Sequence, residues 1–343
     1  MALQLQHETL HRMNTPAVDA AAIDRAVKIL RQGGIVALPT ETVYGLAAAA
    51  DNEDAVRKLF AAKGRPQDHP VIVHVHDASA FDQWAIEVPD TARALAGAFW
   101  PGPLTLVLKR GAQVSDVLTG GQDSVGLRSP AHPWARALLK AFEGALAAPS
   151  ANSFGRISPT TAQHVIDDLG AKPRGKVDLI LDGGACPVGI ESTIVDVRSD
   201  VATLLRPGAI TREQLQTVLR RPVIDAGLQS PRAPGRLEKH YAPRTPLHVM
   251  PADQLATTLS KTGRESVAVL APLNLLQNCR ADVSLAIAAP EDVGDYARLL
   301  YSYLHRLDSS GAVRLLVAEP PMEAQWEAIH DRLRRAQSEA SVG

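Results

Sequence analysis

The sequence predicts an α/β protein of two domains, and three observations carry that prediction. Its 343 residues are about twice the roughly 150 of a typical domain. Short apolar runs bounded by glycine and proline alternate with stretches whose apolar residues recur at helical spacing. That alternation breaks once, from Asp225 to Pro246, where Pro, Gly and Arg gather without any apolar period. The expected division is therefore a first domain over 1–224, a linker over 225–246 that is expected to act as a lid on the first domain, and a second domain over 247–343.

The elements follow in order. Asp19 to Gln32 reads as a helix, with Ile23, Val27 and Leu30 on one face and Gly33-Gly34 to stop it. The strand IVAL comes next, and then a helix from Asn52 to Lys63 with Asn52 as its cap and Gly64 at its end. VIVHVH, LTLVLK and LAAPSAN read as strands, the last two separated by a helix near Pro133 to Phe142. Ser158-Pro159 has the cap and first-turn proline of a further helix start. DLILDGG, STIVDV and TLLRPG are short strands, and Thr211 with Gln214 forms a capping box for a helix ending near Arg220. Past the linker, LHVM, SVAVLAP, SLAIAAP and RLLVAEP alternate with helices from Ala252, Asp295 and Trp326, which predicts a small, largely parallel sheet.

Composition excludes several classes of protein. Apolar residues at 45% and charged residues at 21% describe a globular chain, not a disordered or collagen-like one. The net charge of -1 supplies no global field toward nucleic acid or anionic lipid, so any polyanion must meet a local cluster. Cys186 and Cys279 lie far apart, so neither a disulfide framework nor a thiolate zinc site is encoded, and a reducing cytoplasm fits. The N-terminus lacks the apolar core of a signal peptide and no run of eighteen apolar residues occurs, so a location off the membrane is expected.

Three segments bear chemistry. In Leu38 to Leu46 a buried strand runs into the hydroxyl-rich turn Thr40-Glu41-Thr42, which suits a ligand but equally an ordinary turn with Thr40 bonded to its own backbone. Lys63-Gly64-Arg65 either complements the negative end of a helix or clamps phosphate with a point charge and a planar fork. Pro149-Ser150-Ala151-Asn152, followed by Gly155, Arg156 and Ser158 at the expected helix start, gathers groups suited to an anion, although Ser and Asn also form plain turns. Arg128, Ser192 and Arg206 add a hydroxyl and two cations at strand ends. Gly170 to Lys176 has phosphate-loop spacing, but Val177 replaces the required Ser or Thr and the loop precedes a strand. His74 and His76 alternate on one strand as a metal pair would, without a third ligand nearby. No acid-base pair stands out, and nothing near Cys186 would activate it.

Taken in order, GGIVALPTETVYGLA, KGRPQDHPVIVHV, FWPGPLTLVLKR, VGLRSP, APSANSFGRISPT, GIESTIVDV and LLRPGAIT resemble the YrdC/Sua5 family of L-threonylcarbamoyladenylate synthases over residues 19–221. The linker APGRLEKHYAP and the remainder resemble its two-domain Sua5 branch. The resemblance implies a YrdC-like domain with a twisted mixed sheet and a smaller Rossmann-like parallel domain. It implies conversion of ATP, L-threonine and bicarbonate, with Mg2+, to threonylcarbamoyl-AMP and pyrophosphate. A downstream threonylcarbamoyl transferase would pass the group to adenosine 37 of tRNA. By this resemblance Lys63, Arg65, Ser150, Asn152, Ser158, Arg206 and Tyr241, with Ser124 a further candidate, serve ATP, and Lys63 and Arg65 are the expected catalytic pair. Thr40, His74, Arg128 and Ser192 serve threonine, Arg128 pairing with its carboxylate. No side chain is assigned to the metal.

Two positions depart from the branch. Ala233-Pro234-Gly235-Arg236 stands where S-P-G-M is usual, and Glu238 stands where an aromatic is common, so the linker's closing contact is expected to be made differently. A non-catalytic RNA-binding module is the competing class, disfavoured by the net charge and by 4% aromatic residues, although weak RNA binding at the surface is compatible with the sequence. A carbamoyl-transfer domain of the hydrogenase-maturation type is a third reading, but its partner domains are not encoded here.

Overall fold

The computed structural model describes residues 15–237, 239–261, 266–277 and 283–338. These form two compact units, one made of residues 15–154 and 158–236 and the other of residues 155–157 with the described residues between 237 and 338. Glu238 lies outside the described residues, so its departure from the branch pattern has no structural counterpart here. Among the described residues no helix is long and apolar enough to cross a membrane.

The larger unit holds ten strands: β1 (Val36–Leu38), β2 (Gly45–Ala49), β3 (Ile72–His74), β4 (Leu104–Lys109), β5 (Ser124–Arg128), β6 (Leu146–Ala147), β7 (Leu179–Ile180), β8 (Thr193–Asp196), β9 (Thr203–Arg206) and β10 (Ile224–Asp225). Their order is β10-β9-β8-β4-β5-β3-β6-β2-β1-β7. Directions are mixed: β3 runs parallel to β5 and β4 parallel to β8, whereas β4 and β5 are antiparallel. Both faces are covered. Alternation along β1 sends Val36 and Leu38 toward helices Ala20–Arg31 and Pro133–Phe142, and Ala37 toward the core that includes Val56, Leu59 and Phe60 of helix Glu53–Lys63.

Helix ends are set by their caps. Asp19 accepts from Ala21 N at 2.9 Å, and Asn52 accepts from Ala55 N at 3.0 Å. Helix Glu53–Lys63 closes on Gly64 at φ +65°, a left-handed geometry that glycine adopts without steric cost. The expected helix start at Ser158-Pro159 is not formed. Thr161 caps instead, with Ala162–Asp168 helical, because the Ser158 hydroxyl is engaged elsewhere. The strands LAAPSAN and VIVHVH are also shorter than expected, being two and three residues long.

The smaller unit carries β11 (Leu247–Met250), β12 (Val267–Ala271), β13 (Val283–Ala288) and β14 (Arg314–Ala318), in the order β11-β14-β12-β13. All its pairings are parallel, as the strand-helix alternation predicts. Val267, Val269, Ala271 and Leu316 pack with Leu255 and Leu259 of helix Ala252–Lys261.

Candidate active site

The pleat of the large sheet collects several of the candidate residues. Leu104, Leu106 and Leu108 of β4, Val73 of β3, and Val125 and Leu127 of β5 all belong to the main core. Their alternating neighbours Thr105, Val107, Ile72, His74, Ser124, Gly126 and Arg128 therefore point to the opposite face. Register places His74 beside Arg128 and Ile72 beside Gly126, while Ser124, first in β5, lies at the far end of that strand from Arg128. On this face Ile72, Val107, Ile194 and Leu205 pack against Ala233, so the first half of the linker is laid onto the sheet and is not a free spacer.

At one end of the face stands Arg128, almost fully buried. Its Nη2 donates to Glu41 Oε1 at 2.6 Å, its Nη1 to Thr42 Oγ1 at 2.9 Å and its Nε to the Gly102 carbonyl at 3.3 Å. The other Glu41 oxygen accepts from Ala131 N at 2.9 Å. Thr40 Oγ1 donates to the Val43 carbonyl at 2.6 Å and lies 2.8 Å from Thr42 Oγ1, so the ordinary turn bond expected for Thr40 is made. His74 is buried beside Arg128. Burial first, and the Arg128 charge second, hold its imidazole neutral with a pKa lowered to about 3. Its Nδ1 has no hydrogen-bond partner among the described residues.

Lys63 and Arg65 leave the glycine-capped helix in different ways. Lys63 turns inward, and its Nζ donates to the Ser150 carbonyl at 2.6 Å, to the Asn152 carbonyl and to Asn152 Oδ1 at 3.3 Å. Burial, reinforced by the Arg65 charge and opposed by Asp168, holds its pKa well below the ordinary lysine value. Asp168 also ties down the Ser153 backbone and hydroxyl, at 2.7 Å each, which braces the turn that receives Lys63. The Arg65 guanidinium lies 5.6 Å from the ring of Phe60 and 5.7 Å from that of Phe154, and donates to the Pro70 carbonyl at 2.7 Å. The helix N-terminus expected to complete an anion site after Asn152 is not there, since the helix begins only at Ala162.

A third group joins Ser192, Arg206 and Ser158. Arg206 donates through Nε and Nη2 to the Ser192 carbonyl at 3.1 and 2.9 Å, and through Nη1 to the Pro234 carbonyl of the linker at 2.9 Å. Ser192 Oγ is 2.7 Å from Thr105 Oγ1. Ser158 Oγ donates to buried Glu191 at 2.5 Å. Gly208 permits this crowding, because a Cβ there would sit 2.4 Å from Thr193 N and 2.7 Å from the Glu191 carbonyl.

Tyr241 belongs to the smaller unit, at φ +63°, with its ring 5.3 Å from the Arg332 guanidinium and 5.7 Å from Tyr301. His74 and His76 do not act as a pair: β3 ends at His74, and His76 is held by Asp77 at 2.9 Å and by Arg136 at 3.2 Å. Burial raises the Cys186 thiol far above its usual range, which suits an inert core residue. Sequence reasoning overlooked Glu41 and Glu191, the carboxylates that pair with Arg128 and Ser158. Their only local signal is an acid set in an otherwise apolar, hydroxyl-bearing stretch, T-E-T and I-E-S.

Comparison with known proteins gives a consistent picture. Residues 28–208 match the Sua5, YciO and YrdC family, described as "Telomere recombination", and residues 210–338 match "Threonylcarbamoyl-AMP synthase, C-terminal domain". The chain is 36% identical to the threonylcarbamoyl-AMP synthase of Pyrococcus abyssi, over 91% of this chain and 92% of that one. It is 44% identical to the Bacillus subtilis protein of the same name, over 66% of each. Among solved structures it resembles P. abyssi Sua5 complexed with L-threonine, with a TM-score of 0.85 and 34% identity over 94% and 95% of the two chains. A P. abyssi Sua5 variant with adjacent histidine and tyrosine changed to alanine aligns with a TM-score of 0.83 and 35% identity over 92% of both chains.

Proposed function

The chain belongs to the Sua5/YrdC family of threonylcarbamoyl-AMP synthases, and from that premise we propose that it joins ATP, L-threonine and bicarbonate into threonylcarbamoyl-AMP with release of pyrophosphate and of the water lost when the threonine amine and bicarbonate form the carbamate. The observation that carries the substrate reading is the set of four buried cations in one unit, Lys63, Arg65, Arg128 and Arg206, with Arg128 paired to Glu41 at 2.6 Å. The P. abyssi relative that was solved with L-threonine supports the amino-acid half of the reading.

In this reaction a threonine carbamate oxygen attacks the α-phosphorus of ATP and pyrophosphate leaves. Two anions must be brought together, so positioning and charge neutralisation supply the catalysis and no protein nucleophile is needed. Lys63 and Arg65 meet the phosphates as the catalytic cations, and Ser150, Asn152, Ser158, Arg206, Ser124 and Tyr241 are the further residues assigned to the nucleotide. Thr40, His74, Arg128 and Ser192 surround threonine, with Arg128 on its carboxylate. Mg2+ would accompany ATP and neutralise phosphate charge; among the described residues no group of three or more His, Cys, Asp or Glu side chains is placed to hold a metal ion. The product feeds a transferase acting on tRNA. Pyrophosphate release that needs threonine and bicarbonate together would support this reading, and release independent of either would reject it.

A further inference from the structure

We infer that Glu41 is a positioning residue for recognition of the substrate carboxylate, holding Arg128 together with a directed chain of threonine hydroxyls. The inference rests on the proposed role of Arg128 toward threonine. Arginine has five N–H donors. Three of those of Arg128 go to Glu41, Thr42 and the Gly102 carbonyl, leaving one N–H on each terminal nitrogen. A carboxylate has two oxygens to receive that pair.

The hydroxyl chain has a definite direction. The single hydroxyl proton of Thr40 goes to the Val43 carbonyl, so the bond between the two threonines must be donated by Thr42. The Thr42 oxygen in turn accepts from Arg128. Every link thus runs Arg128 to Thr42 to Thr40 to the Val43 carbonyl. Thr40 further accepts from Thr42 N at 3.2 Å and Val43 N at 3.3 Å, so its hydroxyl is fully occupied and bears on threonine through Thr42 and Arg128. Glu41 fixes the opposite side of the guanidinium while its second oxygen is pinned by Ala131 N, so the fork cannot swing about Cζ. Its charge also offsets a guanidinium that would otherwise be buried unpaired.

The experiment compares L-threonine with L-threoninamide in the full-length protein, by competition for pyrophosphate release, in wild type, Glu41→Gln and Thr42→Val. Glutamine keeps an acceptor for Ala131 N and loses the charge-assisted hold; valine removes the hydroxyl without changing size. Wild type should prefer the carboxylate strongly, and each variant should lose roughly tenfold or more of that preference, the size of one charge-assisted hydrogen bond, with little change in the KM for ATP. A preference kept within twofold in both variants, or lost only in step with the KM for ATP, overturns the inference and makes Glu41 merely structural. If wild type fails to distinguish acid from amide, the role of Arg128 itself falls, and this inference with it.

Discussion

Arg206 and Pro234, 28 residues apart, are joined by a 2.9 Å bond from the guanidinium to the linker carbonyl. The same guanidinium holds the Ser192 carbonyl with two further donors. One buried arginine thereby ties the linker to the strand-end turn that presents Ser192. Arg206→Ala should destabilise the unit by about 2 to 4 kcal/mol, since buried acceptors lose a charged donor. It should also expose Asp225 to Arg236 to protease in the absence of ATP. Unchanged cleavage would show that Ala233 and its apolar neighbours hold the segment alone.

Lys63→Ala and Arg65→Ala are each expected to lower adenylate formation roughly tenfold to over a hundredfold, the range for one charge-assisted contact to phosphate. Lys63→Ala also strips a charged donor from three acceptors, so circular dichroism must first show each variant folded before its rate is compared. Rates within twofold of wild type in both variants would reject the clamp.

Arg128→Lys should raise the KM for threonine more than the KM for ATP. An ammonium has three donors where arginine has five, so it cannot hold Glu41, Thr42 and the Gly102 carbonyl and still offer a planar pair to a carboxylate. Parallel rises in both constants would assign Arg128 to the nucleotide.

His74 predicts a dependence of stability on pH. Its folded pKa of about 3 lies below the ordinary 6.5, so between those values the unfolded chain binds the extra proton. The stabilisation is complete above pH 6.5 and is lost as the pH falls toward 3, by up to about 5 kcal/mol. His74→Asn should flatten the slope of unfolding free energy against pH in that window, measured by denaturant titration. An identical slope in the variant would mean that other groups govern acid unfolding.

Local signals were read well where the physics is local. Asn52, Gly64 and the Thr211–Gln214 capping box sit where the sequence places them. Ser158-Pro159 misled for a specific reason: the hydroxyl that would cap a helix is bonded to Glu191, 33 positions away. β2 went unread because GLAAA carries no β-branched residue, and it becomes a strand through pairing with β1 and β6. The Arg128–Glu41 pair spans 87 positions, a relation that no window of local sequence contains. Ala233 sits in a segment with no apolar period to mark it for burial, yet the sheet face buries it.

The three oxygens around Lys63 Nζ account for all three protons an ammonium can share. A phosphate arriving there gains a proton only by taking it from the turn, so nucleotide capture is an exchange of partners. Burial meanwhile has weakened the amine's hold on its own proton. The negative charge of an arriving nucleotide opposes that effect and favours the charged amine.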